Sequence, residues 1–152
     1  MPIAIINKQR TAAVDRPAIR RLAARILDDH GRGDADIAVV LGSDGFLRGL
    51  NSAYRGLDAP TDVLSFGGAP REAGPVRGRG ADGPEAVLGD VVISTQRAAA
   101  QAGARGVPLD REILKLVAHG VLHLLGYDHE DPKSKRDMVL LENRYVREAE
   151  RR

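Results

Sequence analysis

Residues 109–129 read LDREILKLVAHGVLHLLGYDH, and this apolar stretch is the central element of the predicted fold. Its apolar residues recur at intervals of three and four, the spacing of a helix with a broad buried face. We predict a helix from Arg111 to about Leu125, capped by residues 108–110. Gly126 follows where such a helix must end, because glycine enters the left-handed conformation of a C-terminal cap without steric cost.

Strands and helices alternate on both sides of this helix. Strands are predicted at residues 2–6, 36–41, 62–66 and 87–94, because these short apolar runs are bounded by turn-forming residues. Further helices are predicted at residues 15–30, 46–54, 95–104 and 133–152, where apolar positions recur at helical spacing. This order indicates an α+β protein in which a small mixed β-sheet packs against helices. The 152 residues fit a single domain, residues 1–152.

Composition restricts the kind of protein more than its function. The formal charge of +2 permits an anionic partner such as RNA without requiring one. The absence of cysteine excludes disulfides, thiolate metal sites and cysteine nucleophiles. No run approaches the roughly 18 apolar residues of a membrane span, and the apolar start is too short for a signal peptide. We therefore expect a soluble, cytoplasmic protein with no membrane partner.

One long connection separates the third and fourth predicted strands. Residues 67–86 are rich in glycine, proline and arginine and offer almost nothing to bury, which predicts a mobile loop. A solvated insertion is the favoured interpretation, and an RNA-binding lid is the alternative.

Three of the four histidines lie between His119 and His129. His119 and His123 are four residues apart, so on a helix they lie on one face and can present two ring nitrogens to one ion. A turn at Gly126 would return His129 to the same point. Three imidazoles leave a fourth tetrahedral position for water, as in catalytic zinc sites. We predict one zinc ion here, although the ligands also suit nickel, cobalt or copper.

The spacing of these histidines is shared with the metzincin proteases, which makes a metallopeptidase one alternative. Those enzymes carry a glutamate directly after the first histidine as general base. The corresponding residue here is Gly120, which has no side chain to move a proton. The remaining histidine, His30, is interpreted as a charge partner for the C-terminal end of the first helix.

The string from His119 to His129 resembles the signature of the YbeY family of bacterial endoribonucleases, which act in ribosomal RNA maturation. Two more segments are similar to motifs of that family. They are residues 50–66, LNSAYRGLDAPTDVLSF, and residues 88–94, LGDVVIS. The resemblance covers nearly the whole chain.

The resemblance implies a zinc-dependent endoribonuclease specific for single strands, needed for 16S rRNA processing and for quality control of the 70S ribosome. Its partners would be single-stranded and ribosomal RNA and the ribosome or its small subunit, and no DNA partner is expected. The family's metal ligands correspond to His119, His123 and His129, and its functional arginine to Arg55. A zinc-stabilised ribosome-binding factor without catalysis is a third alternative.

Several other polar residues are candidates for the site. Arg55 could hold two phosphate oxygens with its planar fork, or form a surface salt bridge to Asp58 or Asp62. Asp128 could orient an imidazole or cap the turn, and Thr61 and Ser65 could bind phosphate or be structural. Asp90 and Glu142 are weaker candidates for proton transfer.

Overall fold

Four strands form one mixed sheet in this computed structural model, which describes residues 3–59, 61–67, 87–127 and 130–151. The strands are β1 (Ile3–Asn7), β2 (Asp36–Gly42), β3 (Val63–Gly67) and β4 (Val87–Ser94). Their order across the sheet is β1-β2-β4-β3. The first, second and fourth strands run parallel, and β3 runs antiparallel to β4. The predicted mixed sheet is therefore confirmed.

The helices also agree with the predicted α+β class. They are α1 (Arg16–Asp29), α2 (Asp44–Arg55), α3 (Thr95–Arg105), α4 (Leu109–Leu124) and α5 (Pro132–Glu150). None of the described helices is both long and apolar enough to cross a membrane. Most of the loop predicted at residues 67–86 lies outside the described residues.

The helix α4 begins at Leu109, two residues before the predicted start, and its N-cap lies within the predicted capping segment. Pro108 occupies the N-cap position and makes no side-chain capping hydrogen bond, because proline has no side-chain oxygen to accept one. Asp110 and Glu112 instead lie in the first turn. Their negative charge there complements the positive end of the helix dipole.

Helices cover both faces of the sheet, and β4 lies inside it. Val91 and Ile93 pack into the main core with residues of α1, α4 and α5. Val92 points to the other face and packs with Leu47 of α2 and Leu64 of β3. This burial on both sides explains why residues 91–93 are apolar without alternation. It also places α4 across β3 and β4.

A buried tyrosine ties α5 to the end of α1. The hydroxyl of Tyr145 donates a hydrogen bond to Asp29 Oδ2 at 2.8 Å, and the Tyr145 side chain is almost fully buried. The donated hydrogen bond, with the charges of Arg25 and Arg144, lowers the pKa of the Asp29 carboxyl. Burial and the same hydrogen bond raise the pKa of Tyr145 to about 12.

Tyr145→Phe should lower the free energy of unfolding by about 1 kcal/mol at neutral pH, because one hydrogen bond to a partly exposed carboxylate is lost. The lowered pKa of Asp29 makes this stabilisation present above pH 3.8 and lost as the pH falls further. The raised pKa of Tyr145 makes it complete below pH 10 and lost as the pH rises toward 12.

Urea unfolding across these pH windows checks this prediction, with Tyr54→Phe as the matched control at an exposed tyrosine. Tyr145→Phe should give a flatter dependence on pH than the wild type in both windows. A dependence as steep as that of the wild type would contradict the assignment.

Candidate functional site

His119 and His123 lie side by side on α4. Their ring centroids are 5.0 Å apart and their planes are inclined by 72°. Both residues are half-buried, so both rings are held by the fold and still reach the surface. The helix therefore presents two imidazoles together, as their spacing predicts.

A glycine turn ends α4 directly after these histidines. Gly126 has a φ of +105°, and its amide donates to the carbonyl of His123 at 3.0 Å. The amide of Tyr127 donates to the carbonyl of Leu122 at 3.1 Å. This pair of bonds is a Schellman motif, so the predicted role of Gly126 in ending the helix is confirmed. Asp128 and His129 follow the turn and lie outside the described residues.

The fourth histidine, His30, contacts the segment that leads to His129. It is the C-cap residue of α1, and its Nδ1 donates to the carbonyl of Ile26 at 2.7 Å. Its Nε2 lies 2.8 Å from the hydroxyl of Tyr127, and the two rings meet edge to face. His30 thus lies at the end of α1, as predicted, and it also holds Tyr127, which comes two residues before His129.

A buried carboxylate from α5 orients His119. Glu142 is 2% exposed, and its Oε2 lies 2.6 Å from His119 Nδ1. A carboxylate accepts hydrogen bonds, so Nδ1 carries the proton and Nε2 is the atom able to bind a metal. The other oxygen of Glu142 lies 3.9 Å from Lys115 Nζ, which partly balances the buried charge. Glu142 is thus a hydrogen-bond partner of His119 in this structure, and the proton-transfer role considered for it stays a prediction.

The residues present fit a metal such as zinc. Neutral imidazoles held by a buried carboxylate are a common arrangement around zinc in proteins. Within the described part of the chain, no cluster of three or more potential ligands is assembled. His119 and His123, two residues of the predicted ligand set, thus lie together, while metal binding and the place of His129 stay predictions.

Gly120 lies where α4 presses most closely on the sheet. A Cβ atom at this position would lie 2.5 Å from Val91 Cγ1 and 3.2 Å from Ser65 Oγ. Real Cβ atoms essentially never come within 3.0 Å of such a neighbour. The metzincin glutamate therefore has no space at this position, a physical reason that the sequence alone did not supply.

Ser65 joins Arg55 to the histidine-bearing helix. The Ser65 hydroxyl donates to the carbonyl of Gly120 at 3.3 Å, and the Ser65 carbonyl accepts from Arg55 Nη2 at 3.0 Å. The guanidinium of Arg55 also lies 5.7 Å from the ring centre of Phe66. One serine on β3 therefore contacts both Arg55 and the helix that carries His119 and His123.

The alternative salt bridge of Arg55 is absent from the described residues. Asp58 pairs with Arg48 instead, with Arg48 Nε 2.7 Å from Asp58 Oδ1. Asp62 accepts a hydrogen bond from Gln101 Nε2 at 2.9 Å. The Arg55 guanidinium is exposed and retains N–H groups beyond the one bound to Ser65.

Neither of the two remaining candidates has a contact with the histidines among those seen in the described residues. Thr61 Oγ1 makes a local contact with the carbonyl of Val63 at 3.4 Å. Asp90 is 3% exposed, and strand alternation puts its side chain on the same face as Val92, opposite α4. The roles suggested for Thr61 and Asp90 stay predictions.

A cleft of about 180 Å³ opens beside His119. Its lining includes Asp62, Gln101, Lys115 and Glu142. Lys115 and the position of Glu142 were not recognised from the sequence. The available signal was that Glu142 falls on the apolar stripe of α5, between Met138 and Tyr145, where a carboxylate needs a partner.

The fold and the site define an α+β protein whose central helix carries His119 at a surface cleft, with His123 beside it. Comparison with known proteins identifies its family. The family described as Endoribonuclease YbeY matches residues 4–150, and the chain belongs to this family.

Individual relatives agree with this assignment. Endoribonuclease YbeY of Pelotomaculum thermopropionicum is 46% identical over 142 residues, which cover 91% of this chain and 90% of that protein. Endoribonuclease YbeY of Clavibacter sepedonicus is 40% identical over 90% of this chain and 88% of that protein. The solution structure of TM1509 from Thermotoga maritima matches with a TM-score of 0.60 and 27% identity. That match covers 97% of this chain and 88% of the other.

Proposed function

We propose that this protein is a metal-dependent endoribonuclease that cleaves single-stranded RNA in the processing of 16S ribosomal RNA and in quality control of the 70S ribosome. The family supports an enzyme that acts on RNA. The observation that carries the proposal is the contact of buried Glu142 with His119, beside His123 on the same helix. Ribosomal RNA is processed in the bacterial cytoplasm, so the proposed function includes a cytoplasmic location.

His119, His123 and His129 would hold the metal, proposed to be zinc. Zinc bound by three neutral imidazoles supplies Lewis acidity and a water whose pKa is lowered to about 7. Glu142 holds the proton of His119 on Nδ1 and so keeps Nε2 available as a ligand. Gly120 contributes no base, since its side of the helix is filled by Val91.

Arg55 is proposed to bind the phosphate at the bond to be cut. Its contact with the Ser65 carbonyl fixes one end of the guanidinium, and Ser65 is bonded to Gly120, next to His119. A fixed, permanently charged fork can stabilise the extra negative charge that develops on a phosphodiester during attack. Ser65 would then position Arg55 through its carbonyl and the histidine-bearing helix α4 through its hydroxyl.

An RNA cleavage assay tests the proposal. Purified protein is incubated with single-stranded RNA, with and without a chelator, and compared with His119→Ala. We expect cleavage by the wild type and its loss in both other samples. Cleavage that survives the chelator and the substitution would contradict the metal mechanism, and metal-loaded protein that binds RNA without cutting would indicate the non-catalytic binding factor.

Arg55→Lys should lower the cleavage rate by about tenfold or more, because lysine keeps the charge and loses the planar fork. The fold should be unaffected, since Arg55 is exposed. The measurement is kcat on single-stranded RNA, with Arg48→Lys as control on the same helix. Equal rates for the two variants would remove Arg55 from the site.

A further inference from the structure

A second groove lies beside the cleft at His119. It has a volume of about 330 Å³ and is formed by the end of α3, the first half of α4 and the last half of α5. We call it the basic groove, because four cations line it and Glu112 is the carboxylate that accompanies them. The four cations are Arg105, Arg111, Lys115 and Arg147.

The basic groove is continuous with the cleft. Arg105, Glu112 and Lys115 line both of them. Lys115 lies one helical turn before His119 on α4, and Arg111 lies one turn further away. The helix rise puts Arg111 roughly 12 Å from His119 along the axis. A ligand at His119 can therefore extend into the basic groove without leaving the surface.

The carboxylates near the groove do not cancel its charge. Glu112 is 2% exposed and lies 3.5 Å from Arg105 Nη1. Arg111 makes two hydrogen bonds to Glu150, at 3.0 Å and 2.8 Å. Lys115 lies 3.9 Å from Glu142, so these three pairs leave Arg147 as the cation in excess, and Arg147 lines the groove.

Arg147 is the cation most available to a ligand. It is exposed, and no hydrogen bond or ion pair engages its guanidinium within the described part of the chain. A guanidinium offers five N–H donors in a fork that matches phosphate oxygens. Replacing it removes no hydrogen bond or ion pair of its side chain among the described residues.

We propose that the basic groove binds phosphates of the RNA strand flanking the bond to be cut, with Arg147 as a principal contact; this inference rests on the proposed function. Contacts of arginine and lysine with phosphates give affinity without sequence preference, and this affinity falls as the salt concentration rises, because binding releases counterions from the RNA. The basic groove would extend the RNA-binding site along the strand, while the histidines and Arg55 act at the phosphodiester bond to be cut.

Binding of labelled RNA by Arg147→Glu tests this inference. The probe is an unstructured, fluorescein-labelled RNA of about 16 nucleotides, and fluorescence anisotropy is measured between roughly 50 and 200 mM salt. Affinity should fall on the order of tenfold at the lower salt, and the salt slope should decrease by about 0.7 for each lost phosphate contact. In the cleavage assay, KM should rise while kcat stays unchanged.

Arg10→Glu is the matched control. Arg10 is exposed and follows β1, the edge strand opposite β3, and the substitution makes the same change in net charge. It should leave binding unchanged, and thermal melting should show both variants folded. Equal weakening by both variants, or none by Arg147→Glu, would overturn the basic groove as a binding surface.

The outcomes also separate this inference from the proposed function. If the wild type cuts RNA and Arg147→Glu binds RNA as tightly as the wild type, only the proposal for the basic groove is contradicted. Wild-type protein that binds RNA without cutting defeats the proposed function, and the anisotropy comparison still decides about the groove. Wild-type protein that neither binds nor cuts defeats both.

Discussion

Gly120→Glu should prevent the chain from folding, and Gly120→Ala should lower the free energy of unfolding by about 1–2 kcal/mol. The added Cβ would lie 2.5 Å from Val91, which is fully buried and has a stiff β-branched side chain. Such overpacking costs about 1–3 kcal/mol, which exceeds the gain of up to about 1 kcal/mol from placing alanine in a helix. Glutamate would add the cost of a buried carboxylate.

Gly103→Ala is the matched control for this prediction. Gly103 lies in α3, where an added Cβ would meet nothing within 4 Å. That substitution should therefore stabilise the protein by up to about 1 kcal/mol through helix propensity alone. Urea unfolding measures both changes, and a stabilising Gly120→Ala would contradict the close contact of α4 with the sheet.

Glu142→Gln should weaken metal binding and RNA cleavage by about 10- to 100-fold each, the usual effect of removing a carboxylate that orients a metal-binding imidazole. The shape of the side chain is kept, and its negative charge at His119 Nδ1 is lost. The apo fold should survive, because a neutral amide is less costly to bury than a carboxylate. Isothermal titration with zinc and the cleavage assay measure the two effects.

Glu148→Gln controls for the same change on the same helix. Glu148 lies near Arg25 and Arg144 rather than near the histidines. It should bind zinc and cleave RNA as the wild type does. Equal zinc affinity in Glu142→Gln and Glu148→Gln would remove the role assigned to Glu142.

The parts of the fold that sequence predicts are those set by local patterns. Periodic apolar positions predict the helices, and the position of Gly126 predicts the end of α4. Strand order was not predictable, because it depends on contacts between segments far apart in the chain. The antiparallel placement of β3 beside β4 and the contact of Gly120 with Val91 both belong to this class.

The candidate site divides in the same way. The spacing of His119 and His123 predicts their proximity on one helix. The partner of His119, Glu142, is 23 residues away in the chain, and only the packing of α5 on α4 brings it to 2.6 Å. Arg55 and Asp58 are close in sequence, yet Arg48 takes the carboxylate and Arg55 turns to Ser65. Competition among neighbouring arginines is not visible in the sequence.

We propose that three imidazoles, those of His119, His123 and His129, hold one metal ion beside the cleft. The direct test is zinc titration of the metal-free protein, with His119→Ala, His123→Ala and His129→Ala measured in parallel. We expect one zinc per chain in the wild type and a loss of affinity of at least about 100-fold in each variant. Wild-type protein that takes up no zinc, or a variant that binds it as tightly, would contradict the claim.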